Sequence, residues 1–290
     1  MSDAYERARR AFDFVILPRA RRSVDTLVAR TPRIAERIYR AADLAAHLPF
    51  RGEVNDPPQA VRIGNVTVDV VGDLTEYTEL PRALVEDELR TRSGINFRGE
   101  WLATPEHLRR DHWFYLSSKA YLFANATHFP DTSFMDRFVM PYIAPDGRVL
   151  DFGSGTGNLA LIAAARGVNV WVTELNALQR DFIRFRVARH GLDDAVSVVD
   201  PWRALPEHAF DAVVAVDVLE HLPNCEAVLE RDLLPALAPT GALIENSPFV
   251  VSTANPMHHE DFGLEAFMEA AGFSVATNGG DGTRVWRRPL

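Results

Sequence analysis

The sequence predicts an α/β fold, with a helix-covered sheet in its second half and a mainly helical region in front. From residue 148 onward, apolar runs of strand length alternate with helical stretches, which is typical of a parallel sheet covered by helices. Before that point apolar residues recur at helical spacing, as in residues 2–48, where Pro18 and Pro32 interrupt the run. We therefore place a boundary near residue 145, with a helical cap or substrate region at 1–145 and a ligand-binding sheet domain at 146–290.

Five apolar runs predict the parallel strands, and two further runs close the chain. They are "RVLDF" (148–152), "NVWVTE" (169–174), "AVSVVD" (195–200), "DAVVAVD" (211–217), "GALIENS" (241–247), "GFSVAT" and "TRVWRR". The segments between the first strands include "NLALIAAARG" and "NALQRDFIRFRVARHG", which have helical character. Seven strands are thus expected in all.

Two features stand out in the first half of the chain. The stretch "AVRIGNVTVDVV" (60–71) alternates apolar and polar residues around Gly64-Asn65, which predicts a small β-hairpin. Residues 101–142 contain ten aromatic side chains. Such a density indicates either core packing or the lining of an apolar ligand pocket, and both interpretations stay open.

The composition disfavours a nucleic-acid or membrane partner. The 290 residues carry a net charge of −9, although the first 50 residues hold ten arginines against six acids, which keeps RNA as an alternative substrate. The single cysteine, Cys225, excludes an intrachain disulfide. No apolar run approaches the ~18 residues of a membrane span, and the N-terminus does not resemble a signal peptide. We therefore expect a cytoplasmic protein.

The stretch "RVLDFGSGTGN" (148–158) places three glycines at the end of the first predicted parallel strand. Ligands in such sheets bind outside the carboxyl ends of the strands, and glycine permits close approach of a ligand. The dinucleotide fingerprint G-x-G-x-x-G requires a glycine where Asn158 stands, and no Gly-Lys-Ser/Thr of a P-loop follows. The spacing therefore argues against a pyrophosphate ligand.

Asp151 supplies the second indication, because an acid at this strand end repels phosphate and attracts an ammonium group. A ligand with an α-amino group and no phosphate fits better. The motif "VLDFGSGTGN" resembles motif I of the class I S-adenosylmethionine-dependent methyltransferases, and "DAVVAVDVLEHL" resembles their motif IV. The resemblance implies a Rossmann-like seven-stranded mixed sheet with helices on both faces, in which "TRVWRR" is the terminal antiparallel strand.

The resemblance also implies S-adenosyl-L-methionine as the cofactor and gives roles to residues at the strand ends. Glu174 would bind both ribose hydroxyls, Asp200 the adenine amino group, and Trp202 would stack on the adenine. In the family, the segment before motif I often covers the cofactor. The expected cofactor-binding residues are Asp151, Gly153, Ser154, Gly155, Gly157, Glu174, Leu175, Asp200, Trp202, Asp217, Val218, Tyr115 and Tyr121.

Three histidines are candidates for catalysis, since imidazole can take a proton from an acceptor near pH 7. His258 and His259 lie in "ANPMHHEDFG" after the fifth strand, so they should reach the ligand end of the sheet. His221 follows motif IV, where the resemblance more often implies a place beside the cofactor than a role as base. The alternative for His258 and His259 is packing, capping or plain solvation.

A metal site is a further alternative, on the D-x-x-E-H spacing of Asp217, Glu220 and His221, which His258 or His259 would complete. This spacing resembles the E-x-x-E-H metal site of ubiquinone-pathway O-methyltransferases and small-RNA 2′-O-methyltransferases. Aspartate replaces the first glutamate, and "DVLEH" is widespread in relatives without a metal. The leading interpretation therefore assigns no metal.

We expect an enzyme that transfers a methyl group directly, in line, to oxygen or nitrogen of a small, partly apolar molecule. The acidic charge and the aromatic segment favour such an acceptor over nucleic acid. Two alternatives stay open: a non-methylating S-adenosylmethionine-binding protein or cyclase on the same fold, and a metal-assisted RNA 2′-O-methyltransferase. The oligomeric state and the acceptor are left undetermined.

Overall fold

The computed structural model describes residues 57–92, 101, 104, 108–109, 113–128, 132–144, 146–251 and 257–289. By packing, the chain divides into two compact units. One contains the described residues of Met1–Ala60, Asp69–Arg109 and Trp113–His128, and the other contains those of Val61–Val68 and Phe129–Leu290. The helices predicted over residues 2–48 lie outside the described residues.

The first unit is helical over its described part. Asp69 begins the first helix by accepting a hydrogen bond from the Gly72 N–H at 3.0 Å, and Leu74 is buried within that helix. The helices are α1 (Val70–Thr78), α2 (Arg82–Asp87), which continues as a π-helical turn (Glu88–Arg92), α3 (Trp113–Ser117) and α4 (Tyr121–Ala126).

The second unit contains every described strand. The strands are β1 (Val61–Ile63), β2 (Val66–Val68), β3 (Arg148–Phe152), β4 (Asn169–Thr173), β5 (Val196–Val198), β6 (Phe210–Val216), β7 (Leu237–Asn246), β8 (Ser274–Asn278) and β9 (Arg284–Arg287). The helices are α5 (Asn158–Ala165), α6 (Ala177–Arg189), α7 (Cys225–Val228), α8 (Leu234–Ala236) and α9 (Leu264–Ala270). Short π or 3₁₀ turns cover Met135–Val139, Met140–Tyr142, Leu219–His221 and Leu229–Leu233.

The main sheet has seven strands in the order β5-β4-β3-β6-β7-β9-β8. The first five are parallel, while β9 pairs antiparallel with both β7 and β8. The predicted α/β fold with a mixed seven-stranded sheet is therefore confirmed. The chain runs outward from β3 to β5 and then returns to β6, so the strand order reverses between β3 and β6, where such sheets bind their ligands.

Helices cover both faces of this sheet, as predicted. Val149 and Leu150 are neighbours in β3 but point to opposite faces, because side chains alternate along a strand. Val149 packs in one apolar cluster with Leu161 of α5 and Ile183 of α6, and Leu150 packs in the other with Met268 of α9. Both faces of β3 are therefore dry, which explains its continuous apolar run.

The division of the chain differs from the boundary that we placed near residue 145. The predicted hairpin forms, with Ile63 paired to Val66, but it packs with the sheet unit, where Val68 joins the α5 cluster. Residues 132–144 also belong to that unit. A two-stranded hairpin is marginal by itself and needs a larger element to bury its apolar face. None of the described helices combines the length and the apolar character that crossing a membrane requires.

Candidate functional site

The glycine loop joins β3 to α5 and is held against the end of β4. The N–H groups of Gly153 and Ser154 both donate to the Thr173 carbonyl, at 2.8 and 3.1 Å. Gly153 has a φ of +72°, and a Cβ on it would lie 2.6 Å from Val218 Cγ2. A side chain would therefore be both strained and overlapping, so glycine is required where the ends of β3 and β6 meet.

Glu174 is bound to the same loop by its side chain. Its Oε2 accepts the Gly155 N–H at 2.9 Å and its Oε1 accepts the Asn176 N–H at 2.8 Å. Burial raises the pKa of Glu174 to about 7, against the lowering effect of these N–H groups. Burial, together with the nearby charge of Glu174, also raises the pKa of Asp151 to about 7. The site thus holds two buried carboxylates with too little positive charge around them.

Two polar atoms of this site fit a ligand that donates hydrogen bonds. Asp151 Oδ2 and Ser154 Oγ are buried, and neither has a hydrogen-bond partner among the described residues. Leaving such an atom unpaired costs about 1–3 kcal/mol, so a bound donor is favoured. The ammonium group and hydroxyls of S-adenosylmethionine are such donors, and the residues present therefore fit this cofactor.

The residues expected near the adenine also lie at the carboxyl ends of their strands. Asp200 follows β5 and accepts the Trp202 N–H at 2.8 Å, while the Trp202 side chain is 70% exposed. Leu175 follows Glu174, and both carbonyls accept from Arg180 Nη1 at 2.6 Å. This placement is compatible with adenine binding, which stays a prediction for these side chains.

Asp217 lies directly after β6, beside the half-buried Val218. Its φ is +52°, an uncommon conformation for a residue other than glycine, and its N–H donates to the Asn246 carbonyl at 2.9 Å. This bond connects the ends of β6 and β7. The unusual turn thereby brings Val218 over Gly153.

Tyr115 and Tyr121 lie in the helical unit, with ring centroids 5.6 Å apart. Tyr115 is buried, and its ring also packs against Trp101 and Phe114. These contacts favour the core-packing interpretation for Tyr115 within that unit. Contact of either tyrosine with the cofactor stays a prediction.

The structure brings two of the three candidate histidines together with an acid. The rings of His221 and His258 pack edge to face with centroids 4.7 Å apart, and His221 Nε2 lies 3.9 Å from Glu220 Oε1. His221 lies in the 3₁₀ turn after β6. The backbone of His259 also contacts this group, because its N–H donates to the Glu220 carbonyl at 2.7 Å. Burial lowers the pKa of both His258 and His259, so both are neutral near pH 7.

Two residues that hydrogen-bond to the glycine loop or to Glu174 were not identified from the sequence. Arg186 of α6 is fully buried, and its Nη1 donates to the Thr156 carbonyl at 2.7 Å and to Asn158 Oδ1 at 2.8 Å. Asn176 caps α6 while it binds Glu174. Nothing in "DFIRFRVARH" distinguishes Arg186 from the solvated arginines beside it, whereas an asparagine two residues after a strand-end acid is an ordinary helix-start signal.

Comparison with known proteins finds a family for part of the chain. Residues 128–269 match the family described as a methyltransferase domain. A "Probable fatty acid methyltransferase" of Mycobacterium tuberculosis is 32% identical over 36% of this chain, and an arginine N(omega)-methyltransferase of Streptomyces achromogenes is 33% identical over 31%. The alignments cover 25% of the length of each of these relatives. Among solved structures, the 4+2 cyclase SpnF aligns at 24% sequence identity with a TM-score of 0.42. The alignment covers 49% of this chain and 55% of the SpnF chain.

The family match covers residues 128–269, just under half of the chain. This part of the chain belongs to the class I S-adenosylmethionine-dependent methyltransferases.

Proposed function

We propose that the protein transfers the methyl group of S-adenosylmethionine to oxygen or nitrogen of a small, partly apolar acceptor. The observation that carries this proposal is the pair of buried carboxylates, Asp151 and Glu174, at a glycine loop where Asp151 Oδ2 and Ser154 Oγ have no hydrogen-bond partner in the described part of the chain. When bound, S-adenosylmethionine supplies a methyl group on a positively charged sulfur, which is open to direct displacement. The residues of the chain then need to bind and orient the cofactor and the acceptor, and one of them needs to take the proton of the acceptor.

The cofactor-binding roles that the resemblance implies fall on residues at or just after strand ends. Asp151 would bind the ammonium group through Oδ2, a buried oxygen to which no described residue donates. Glu174, already oriented by two backbone N–H groups, would accept the ribose hydroxyls. Asp200 and the exposed ring of Trp202 would bind the adenine.

The histidines after β7 would take the proton of the acceptor. His258 Nδ1 lies 2.8 Å from the Pro248 carbonyl, which can only accept, so the proton of the neutral ring is on Nδ1 and its lone pair is on Nε2. His259 is also neutral near pH 7 because burial lowers its pKa. Either ring would take the proton from a hydroxyl or ammonium group of the acceptor. Positioning of the acceptor against the cofactor would supply most of the rate enhancement.

The named activities of the two relatives guide the choice of acceptors. The protein would be incubated with S-adenosylmethionine and, separately, with a long-chain fatty acid, free arginine and a phenol, and adenosylhomocysteine and methylated product would be measured by mass spectrometry. Asp151→Ala should abolish most turnover and weaken adenosylhomocysteine binding by about tenfold or more, with Asp193→Ala, an exposed acid, as the control. Tight adenosylhomocysteine binding without methylation of any acceptor would favour the non-methylating alternative.

A further inference from the structure

The carboxylate of Glu220 is buried without the partners that a buried charge needs. Its side chain is fully buried, and neither Oε1 nor Oε2 has a hydrogen-bond partner among the described residues. The nearby charges of Asp217 and Glu245 are both negative. A buried carboxylate surrounded in this way is costly unless a positive group compensates it.

Two imidazoles face this carboxylate from different parts of the chain. His221 lies in the same 3₁₀ turn, and His258 comes from the segment after β7. The Nδ1 of each ring lies beside a carbonyl oxygen, Met257 O at 3.4 Å for His221 and Pro248 O at 2.8 Å for His258. In the tautomer that these carbonyls favour, each ring carries its lone pair on Nε2, which is the arrangement of metal-binding histidines.

We infer that Glu220, His221 and His258 bind a divalent transition-metal ion. One ligand atom from each residue lies within 4.8 Å of the others, and His221 Nε2 lies 3.9 Å from Glu220 Oε1. Ligand atoms at about 2.1 Å from a tetrahedral ion are separated by about 3.4 Å, so small side-chain rotations complete the site. The group does not include Asp217, and His259 is not part of it either.

The donor set selects the kind of metal. Two imidazole nitrogens and one carboxylate suit Zn²⁺, Mn²⁺, Co²⁺ or Fe²⁺, whereas Mg²⁺ and Ca²⁺ prefer oxygen ligands throughout. Three protein ligands leave at least one coordination position open. The site therefore has the composition of a reactive metal centre rather than of a closed structural one.

Metal binding at this site does not depend on methyl transfer. The role that the metal would have in the reaction rests on the proposed function. Glu220 follows β6 and His258 follows β7, so the group lies at the carboxyl edge of the sheet that also carries the glycine loop. If the proposed function holds, the open position would bind an oxygen of the acceptor. His259, outside the ligand set, would then remain as the base.

The test measures metal binding directly on the full-length protein. Purified protein, stripped with a chelator, is titrated with Zn²⁺ against a chromogenic chelator and with Co²⁺ by absorption spectroscopy. We expect one strongly bound ion per chain, and about 100-fold weaker binding in Glu220→Gln and in His258→Ala. His259→Ala, which changes the adjacent histidine but no ligand, should retain the wild-type metal affinity.

The variants also separate loss of the site from loss of the fold. Glu220→Gln keeps the side-chain shape and removes a charge without partners, so its melting temperature in chelator should be no lower than that of wild type. Absence of a bound ion in correctly folded wild type would overturn the inference, as would equal losses of affinity in His258→Ala and His259→Ala. These binding results stand whether or not methylation of an acceptor is ever observed.

Discussion

The buried carboxylate of Asp151 should make the cofactor-free protein less stable as the pH rises. Its pKa lies at about 7 in the folded protein, mainly because of burial and then because of Glu174, against 3.8 for a free aspartate. Between these pH values the folded state retains a proton that the unfolded state has lost. Stability therefore falls as the pH rises from about 4 to about 7 and stays reduced above that. Asp151→Asn removes this loss.

The size of the effect follows from the displaced pKa. A rise from 3.8 to about 7 corresponds, at about 1.4 kcal/mol per pH unit, to about 4 kcal/mol above pH 7. Relaxation of the cofactor-free site reduces this difference in stability. The amide introduced by Asp151→Asn must also find hydrogen-bond partners. We expect Asp151→Asn to exceed wild type by about 1–4 kcal/mol at pH 8, and the advantage to be lost near pH 4.

The assay is urea-induced unfolding of cofactor-free protein, followed by circular dichroism at pH 4.5, 6 and 8. Asp193→Asn, an exposed acid in the turn before β5, is the matched control and should follow wild type. The reasoning is refuted if Asp151→Asn and wild type differ by the same amount at every pH. The same variant should bind adenosylhomocysteine about tenfold more weakly or worse, because the ammonium group loses its anion. A gain in stability with a loss of affinity is the signature of a binding residue.

Three further substitutions test the loop, its support and the adenine position. Gly153→Ala should cost about 1–3 kcal/mol more than Gly167→Ala in urea unfolding, because both glycines have positive φ but only the first would overlap Val218; equal losses would contradict the close approach. Arg186→Met should cost about 2–4 kcal/mol, since two buried acceptors lose their donor, while Arg184→Met, which breaks an exposed pair, should change the free energy of unfolding by less than about 1 kcal/mol. Trp202→Ala should weaken adenosylhomocysteine binding about tenfold by calorimetry without lowering the melting temperature; an unchanged affinity would exclude stacking on the adenine.

The predicted strands of the sheet correspond to observed ones, because their apolar runs are long and their ends are marked by glycine or acids. The predicted run at 148–152 is β3, residue for residue. The fifth strand was placed at 241–247, whereas β7 begins at Leu237, because "LAPTG" lacks an apolar alternation and joins the strand only through its pairing with β6. Strand order was available only through the resemblance, since pairing partners leave no local trace in the sequence.

The candidate site likewise contains residues that the sequence predicted and residues that it did not. The glycine spacing, Asp151 and Glu174 could be found because each stands at the end of an apolar run, where the chain must reach the ligand edge of the sheet. Arg186 could not be found, because its burial depends on how α6 packs against α5 and the glycine loop. The choice of His258 over His259 as the neighbour of His221 likewise depends on the path of the chain after β7.

The sequence by itself determined the class of fold, the glycine loop and the chemistry of the cofactor that fits it, since these depend on residue types at short spacing. Only the tertiary structure decided which groups share a dry environment. It buried Asp151 beside Glu174, left the Glu220 carboxylate without a hydrogen-bond partner among the described residues and brought His221 to His258 from another part of the chain. The physical reason is that periodicity is a local property, whereas desolvation and the meeting of distant side chains arise only when strands and helices pack.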